Sequence, residues 1–163
     1  MDDWNYLRRQ LATTLRKRDW VVCTAESCTG GWIAKTLTDL AGSSVWFDRG
    51  FVTYSNAAKH DALGVDQALL DTHGAVSEAV ARAMAEGALR RSAATVGLAV
   101  TGIAGPGGGS AEKPVGLVHF ALARHSAATR AGCWRFNGDR EAVRRATVAS
   151  ALRLLLHSAM VVD

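Results

Sequence analysis

The chain lacks the cysteine pattern of a stapled or zinc-bound scaffold. Its three cysteines, Cys23, Cys28 and Cys133, are odd in number and form no Cys-x-x-Cys pair, so neither a disulfide framework nor a zinc site is suggested. Reduced thiols in a reducing compartment, the cytoplasm, are expected instead. The histidines add no metal site: His60, His73, His119, His125 and His157 show no ligand spacing with a nearby cysteine or carboxylate, and each is read as structural. The first ten residues, MDDWNYLRRQ, begin acidic and lack the apolar run of a signal peptide. Long hydrophobic stretches are missing too. Ser92 to Ala111 is uncharged for 20 residues but holds six glycines and Pro106, and reads as a buried strand followed by a flexible loop rather than a membrane span. A dense basic cluster is also absent. The net charge is only +4, with a pI of about 9.3. Arg8, Arg9, Arg16, Lys17 and Arg18 are interspersed with Asp2, Asp3 and Asp19, the pattern of a solvated helix face and not of a nucleic-acid surface. The mild positive balance favours an anionic small substrate.

What is present suits one globular domain over residues 1–163. Apolar residues make up 48% and charged residues 21%, and a chain this long buries its core without covalent help. No repeat or composition shift marks a second domain. Leu7, Leu11 and Leu15, four apart, predict a helix over Trp4 to Lys17. Trp20–Cys23 reads as a buried strand and Cys28 to Leu40 as a helix. Phe47 to Ser55 reads as a strand and Asn56 to Leu63 as a helix stopped by Gly64. Ser77 caps a helix to about Arg91, whose outer face, Glu78, Arg82, Glu86 and Arg90, alternates in sign at helical spacing. Val96 to Thr101 reads as a third strand. Val115 to Ala123 and Thr129 to Phe136 read as a hairpin around Arg124–Ala128. Asp139 opens a last helix to about His157. Alternating helix and strand patterns predict an α/β protein with helices on both faces of one sheet.

Three segments carry chemistry. In Thr24–Gly31, Ser27 follows a strand and precedes a helix. It reads either as an N-cap or as a nucleophile whose oxyanion is held by helix-start N–H groups near Cys28–Gly30. Gly30 and Gly31, poor helix formers, suggest a close approach to the backbone. The segment is not the Gly-x-Ser-x-Gly elbow, and no His–Asp partnership is evident. In Val52–Lys59, Tyr54 ends a strand and Lys59 lies about one turn into the next helix. They are either core and surface residues or an activating pair. A lysine acts as a base only when neutral, so its pKa must fall by about 3 units, within reach of burial. Thr101–Ser110 is glycine-rich and follows a buried strand. It is either a mobile loop or a backbone cradle for an anion, and lacks the Walker ending.

Together these segments resemble the CinA C-terminal domain-like family, whose stand-alone members are nicotinamide-nucleotide amidases (NMN deamidases). The matching stretches are AESCTGG at 25–31, GSSVWFDRGFVTYSNAAK at 42–59, HGAVSE at 73–78, AVTGIAGPGGGS at 99–110, KPVG at 113–116 and FNGDR at 136–140. The resemblance implies a three-layer α/β/α sandwich with one mixed, mostly parallel sheet of about five strands. It implies a serine amidase that hydrolyses the carboxamide of nicotinamide mononucleotide to nicotinate mononucleotide and ammonia, with no cofactor and no metal. Ser27 matches the nucleophile, and Tyr54 and Lys59 match its activating pair. Thr29, Gly30, Gly31, Thr101, Gly102, Ile103 and Gly105 match the substrate pocket, with Arg140 as a phosphate contact. The pyrophosphatase activity linked to an extra N-terminal domain in larger relatives is not carried over. A small-molecule partner is expected, with no nucleic acid and no membrane; a homo-oligomer is left open. The alternative is a non-catalytic nucleotide- or protein-binding module of the same fold, linked to competence or DNA-damage functions.

Overall fold

The structure, a computed structural model, describes residues 4–161. Asp2 and Asp3, read above as neighbours of the basic stretch, lie outside that range. Eleven elements follow in order: α1 (Trp4–Lys17), β1 (Val22–Glu26), α2 (Trp32–Thr38), β2 (Phe47–Val52), α3 (Asn56–Leu63), α4 (Gln67–His73), α5 (Glu78–Arg90), β3 (Val96–Gly102), β4 (Leu117–Arg124), β5 (Ala127–Arg135) and α6 (Arg140–Met160), with a short 3-10 turn at Ser43–Val45.

The strands form one sheet in the order β2-β1-β3-β4-β5. β1 pairs in parallel with β2 and with β3. β3–β4 and β4–β5 are antiparallel, so only β4 runs against the other four. Side chains alternate across a strand, and the two faces here differ in size. Val22, Val96, Leu98, Val100, Val118, Phe120 and Leu122 pack under α1, α2 and α6. Cys23, Ala25, Ala99, Ala121 and Ala123 face α5, which answers with Ala81, Ala85 and Ala88. Small residues on both sides bring α5 close. A Cβ on Gly97 would stand 2.5 Å from the Ala85 carbonyl oxygen. Helices on both faces make the three-layer sandwich.

Four helices start on a side-chain cap. Ser55 accepts from the Ala58 N–H, Asp66 from Ala68, Ser77 from Val80 and Asp139 from Ala142; each such cap contributes about 1 kcal/mol. The uncharged stretch 92–111 becomes β3 and the loop after it. Among the described residues no helix is long and apolar enough to cross a membrane.

Several expectations need correction. β1 runs three residues further than the apolar run, because the polar Thr24 and Glu26 are fully buried in it. α2 begins at Trp32, not Cys28, because Gly30 and Gly31 hold left-handed φ angles of 61° and 98°. α4 was not expected at all. The basic face of α1 is not merely solvated: Arg8 pairs with Asp39, Arg16 lies over the Trp46 ring, and Arg18 donates to the Ala159 and Val161 carbonyls. On α5, Arg82 does pair with Glu78, but Glu86 accepts from the Thr129 hydroxyl of β5 instead of pairing along its own helix.

Candidate active site

The carboxyl ends of β2, β1 and β3 lie side by side, with β1 in the middle, so three connecting segments converge there. Such an edge is where open α/β sheets hold their ligands. The cavity at this edge is lined by Ser27 and Cys28 after β1, Tyr54 and Lys59 after β2, Thr101 and Gly102 at the end of β3 with Ile103–Gly105, Gly107 and Gly108 beyond it, Ala75 and Val76 before α5, and Arg140 on α6.

Ser27 is held by the sheet itself. Its N–H donates to the Val100 carbonyl at 3.2 Å, extending the β1–β3 ladder by one residue. The residue before it, Glu26, is fully buried, and both carboxylate oxygens are used. Oε1 accepts from the Thr29 hydroxyl at 2.6 Å and the Ile33 N–H at 2.8 Å, and Oε2 from the Ala34 N–H at 3.0 Å. Gly31 offers α2 no side-chain cap, so Glu26 supplies it from the strand, satisfying first-turn N–H groups. Ser27 is therefore not the cap of α2.

Lys59 comes to Ser27 from the first turn of α3. Its side chain is only 1% exposed, and Nζ lies 3.0 Å from Ser27 Oγ, 2.8 Å from the Thr53 carbonyl oxygen and 3.3 Å from that of Tyr54. A neutral amine has two N–H bonds and one lone pair. Two carbonyls accept only from N–H, so the third direction, toward Ser27, is left for the lone pair to accept the hydroxyl proton. Among the described residues no carboxylate pairs with Lys59. Burial pushes its ammonium below the ordinary value of 10.5, with the Cys28 sulfur acting in the opposite sense. That opposition needs a thiolate, and burial pushes the Cys28 thiol up to about 11, so Cys28 is neutral at physiological pH. For the same reason Cys28 is a poor nucleophile, although it lines the cavity.

Tyr54 takes a different place from the one expected. Its carbonyl helps hold Lys59, but its side chain is 58% exposed and its hydroxyl accepts from Arg140 Nη2 at 2.8 Å. Arg140 Nη1 donates to the Gly105 carbonyl, also at 2.8 Å, so this arginine ties two walls of the cavity together at the rim. Thr101, Gly102, Ile103 and Gly105 line the cavity as expected, yet much of their polar capacity is committed to the fold. The Thr101 hydroxyl donates to the Ala75 carbonyl, and the Ile103 N–H to the Leu117 carbonyl. A Cβ on Gly102 would stand 2.8 Å from the Leu117 oxygen.

Thr29, Gly30 and Gly31, expected in the pocket, do not line it. Thr29 is buried on Glu26, while Gly30 and Gly31 face Arg144 and Val52; their glycine character serves the left-handed turn, not a ligand's approach. The Gly30 N–H is also taken, by the Ser27 carbonyl at 3.1 Å. The Cys28 and Thr29 N–H groups are held by no acceptor among the described residues, and that of Cys28 is the nearer of the two to Ser27 along the chain. The sequence reading missed Glu26, Ala75, Val76 and Arg144. Glu26 was signalled by an acid inside an apolar strand, and the next two by HGAVSE.

The profile of the CinA C-terminal domain matches residues 5–159, and the chain belongs to that family. It is 55% identical over 151 residues to the nicotinamide-nucleotide amidohydrolase PncC of Escherichia coli K12, covering 91% of this chain and 90% of that protein. It is 53% identical over 147 residues to PncC of Enterobacter agglomerans, covering 90% of each. Among solved structures, the competence/damage inducible protein CihA of Agrobacterium tumefaciens superposes with a TM-score of 0.92 at 51% identity, over 96% of both chains.

Proposed function

We propose that this chain is a nicotinamide-nucleotide amidohydrolase that releases ammonia from nicotinamide mononucleotide through an acyl-enzyme on Ser27. The observation that carries the reading is the buried Lys59 Nζ 3.0 Å from Ser27 Oγ. Burying a lysine without a counter-ion is costly, and a binding module gains nothing from it, whereas a general base needs the lowered pKa that results.

Lys59 takes the Ser27 proton as Oγ attacks the carboxamide carbon. The tetrahedral oxyanion forms against the Cys28 N–H. Lys59 is then an ammonium with three N–H donors: two remain on the Thr53 and Tyr54 carbonyls, and the third passes its proton to the departing nitrogen. Ammonia leaves an ester on Ser27. Water, deprotonated by the same lysine, attacks that ester, and nicotinate mononucleotide departs. A nucleotide substrate and three free cysteines suit a cytoplasmic enzyme. The test is ammonia release from the mononucleotide by the purified chain; a folded protein that binds it without turnover would favour the binding-module reading.

Cys28→Ala is expected to keep kcat within about threefold, because the change removes a neutral buried thiol and about 1 kcal/mol of packing but leaves the backbone N–H. Loss of turnover in a folded Cys28→Ala protein would move the nucleophile from Ser27 to Cys28.

Arg140, at the rim, is assigned to the substrate's phosphate. A charge-assisted hydrogen bond contributes about 1.5–3 kcal/mol, so Arg140→Ala should cost roughly ten- to a hundredfold in kcat/KM on the mononucleotide. Nicotinamide riboside, which has no phosphate, should be a poorer substrate by a similar factor and nearly indifferent to the mutation. Equal losses on both substrates would reduce Arg140 to its structural tie between Gly105 and Tyr54. Tyr54→Phe keeps the carbonyl on Lys59 and removes only the hydroxyl on Arg140. Its effect should follow Arg140→Ala, chiefly on the mononucleotide, and a riboside rate that collapses with it would restore Tyr54 to the proton transfer.

A further inference from the structure

Arg144 lies one helical turn beyond Arg140 on α6, outside the cavity lining, and reaches the back of the nucleophile turn. Its Nε donates to the Cys28 carbonyl at 3.1 Å and its Nη2 to the Thr29 carbonyl at 3.2 Å. Its guanidinium also lies over the Trp32 ring, with the guanidinium carbon 5.6 Å from the ring centroid. A Cβ on Gly30 would stand 3.5 Å from Nη2, so the turn passes close to the guanidinium.

The peptide unit is planar and trans, so its N–H points opposite to its C=O. Fixing a carbonyl therefore aims the next residue's N–H. Arg144, with the Trp32 N–H, fixes the Thr29 carbonyl and so aims the Gly30 N–H. The Gly30 N–H closes on the Ser27 carbonyl, which in turn aims the Cys28 N–H. That last donor is the one assigned above to the oxyanion. Hydrogen-bonded peptides also polarise one another in sequence, so a cation at the far end of the chain strengthens the donor at the near end.

We propose that Arg144 is a positioning residue for amide hydrolysis, which aims and polarises the Cys28 N–H through the peptide units of the Ser27–Gly31 turn and touches no substrate. This rests on the amidase reading. Arg144 acts only once charge has developed on the oxyanion, so its loss should fall on kcat and spare KM.

The experiment measures kcat, KM, the pH profile of kcat/KM and the melting temperature for wild type, Arg144→Met and Arg144→Lys. Methionine keeps an apolar stem beside Trp32 and removes both carbonyl bonds. Removing an oxyanion donor outright costs about 10²–10³ in kcat; misaiming one should cost at least about tenfold. The expected result is that loss for Arg144→Met, with KM nearly unchanged, and an intermediate kcat for Arg144→Lys, which restores charge and one bond. The rising limb of the pH profile should stay in place, because the base is untouched. A kcat within twofold of wild type, equal losses in kcat and KM together with a collapsed melting temperature, or a shifted pH limb would each overturn the proposal. Inactive wild-type protein would instead defeat the amidase reading, so the two failures are told apart.

Discussion

Ser27→Ala should abolish turnover and leave the fold in place. Nothing else in the cavity replaces the hydroxyl. The neighbouring thiol is held neutral by burial, and a fall of at least about 10⁴-fold is the scale for losing a serine nucleophile from an intact site. Stability should barely move. The Ser27 N–H keeps its bond to Val100, and α2 is capped by Glu26, so no cap is lost with the hydroxyl. Rate and melting temperature measured on the same preparation check both halves. A folded Ser27→Ala protein with a near-normal rate would sink the nucleophile assignment.

Lys59 carries the second large effect. Arginine stays charged at any working pH, so Lys59→Arg should be nearly inactive even where it folds. Lys59→Met guards against a misfit, since it matches the stem and removes the amine. It too should be inactive, and a melting temperature close to the wild type's would show that the base is lost and not the fold. The pH dependence follows from the direction of the shift. Desolvation disfavours the ammonium, so folded Lys59 loses its proton below the ordinary 10.5. Activity requires the neutral form, and kcat/KM should rise with pH through that depressed value to a plateau. Between the folded and unfolded pKa values the unfolded chain binds more protons, so wild-type stability should also rise with pH across that window. Lys59→Met should lack this rise. A Lys59→Arg enzyme with wild-type kcat would remove Lys59 from the role of base.

How far the sequence could be read differs from residue to residue for physical reasons. α1 was legible because Leu7, Leu11 and Leu15 repeat at helical spacing on a face that packs on α6. The caps Ser77 and Asp139 were legible because a cap is a local interaction. Lys59 and Ser27 were legible as a pair only through resemblance, since 32 residues separate them and parallel pairing of β1 with β2 is what brings them together. Glu26 stopped the reading of β1 too early. An acid inside a strand looks like an end, and only the N–H groups of a helix six residues on make it tolerable there. α4 is seven residues long and capped by Asp66, too short to show a period. Arg144 was invisible because its partners are backbone carbonyls, which any sequence supplies.

Helix α6 carries Arg140 and Arg144 four residues apart, a separation of about 6 Å along its axis, one at the cavity rim and the other behind the nucleophile turn. On the roles proposed above, recognition of the substrate's far end and alignment of its reacting end are both fastened to one rigid rod. Retargeting the enzyme by shifting that helix would disturb both at once. Apart from Gly105, which Arg140 holds, the wall made by Ile103, Ala104, Gly107 and Gly108 and by Ala75 and Val76 lies off the rod, and there substitutions can reshape the pocket while Ser27 keeps its setting. New substrate preferences in such a scaffold should arise by changes in those two loops, with α6 held still.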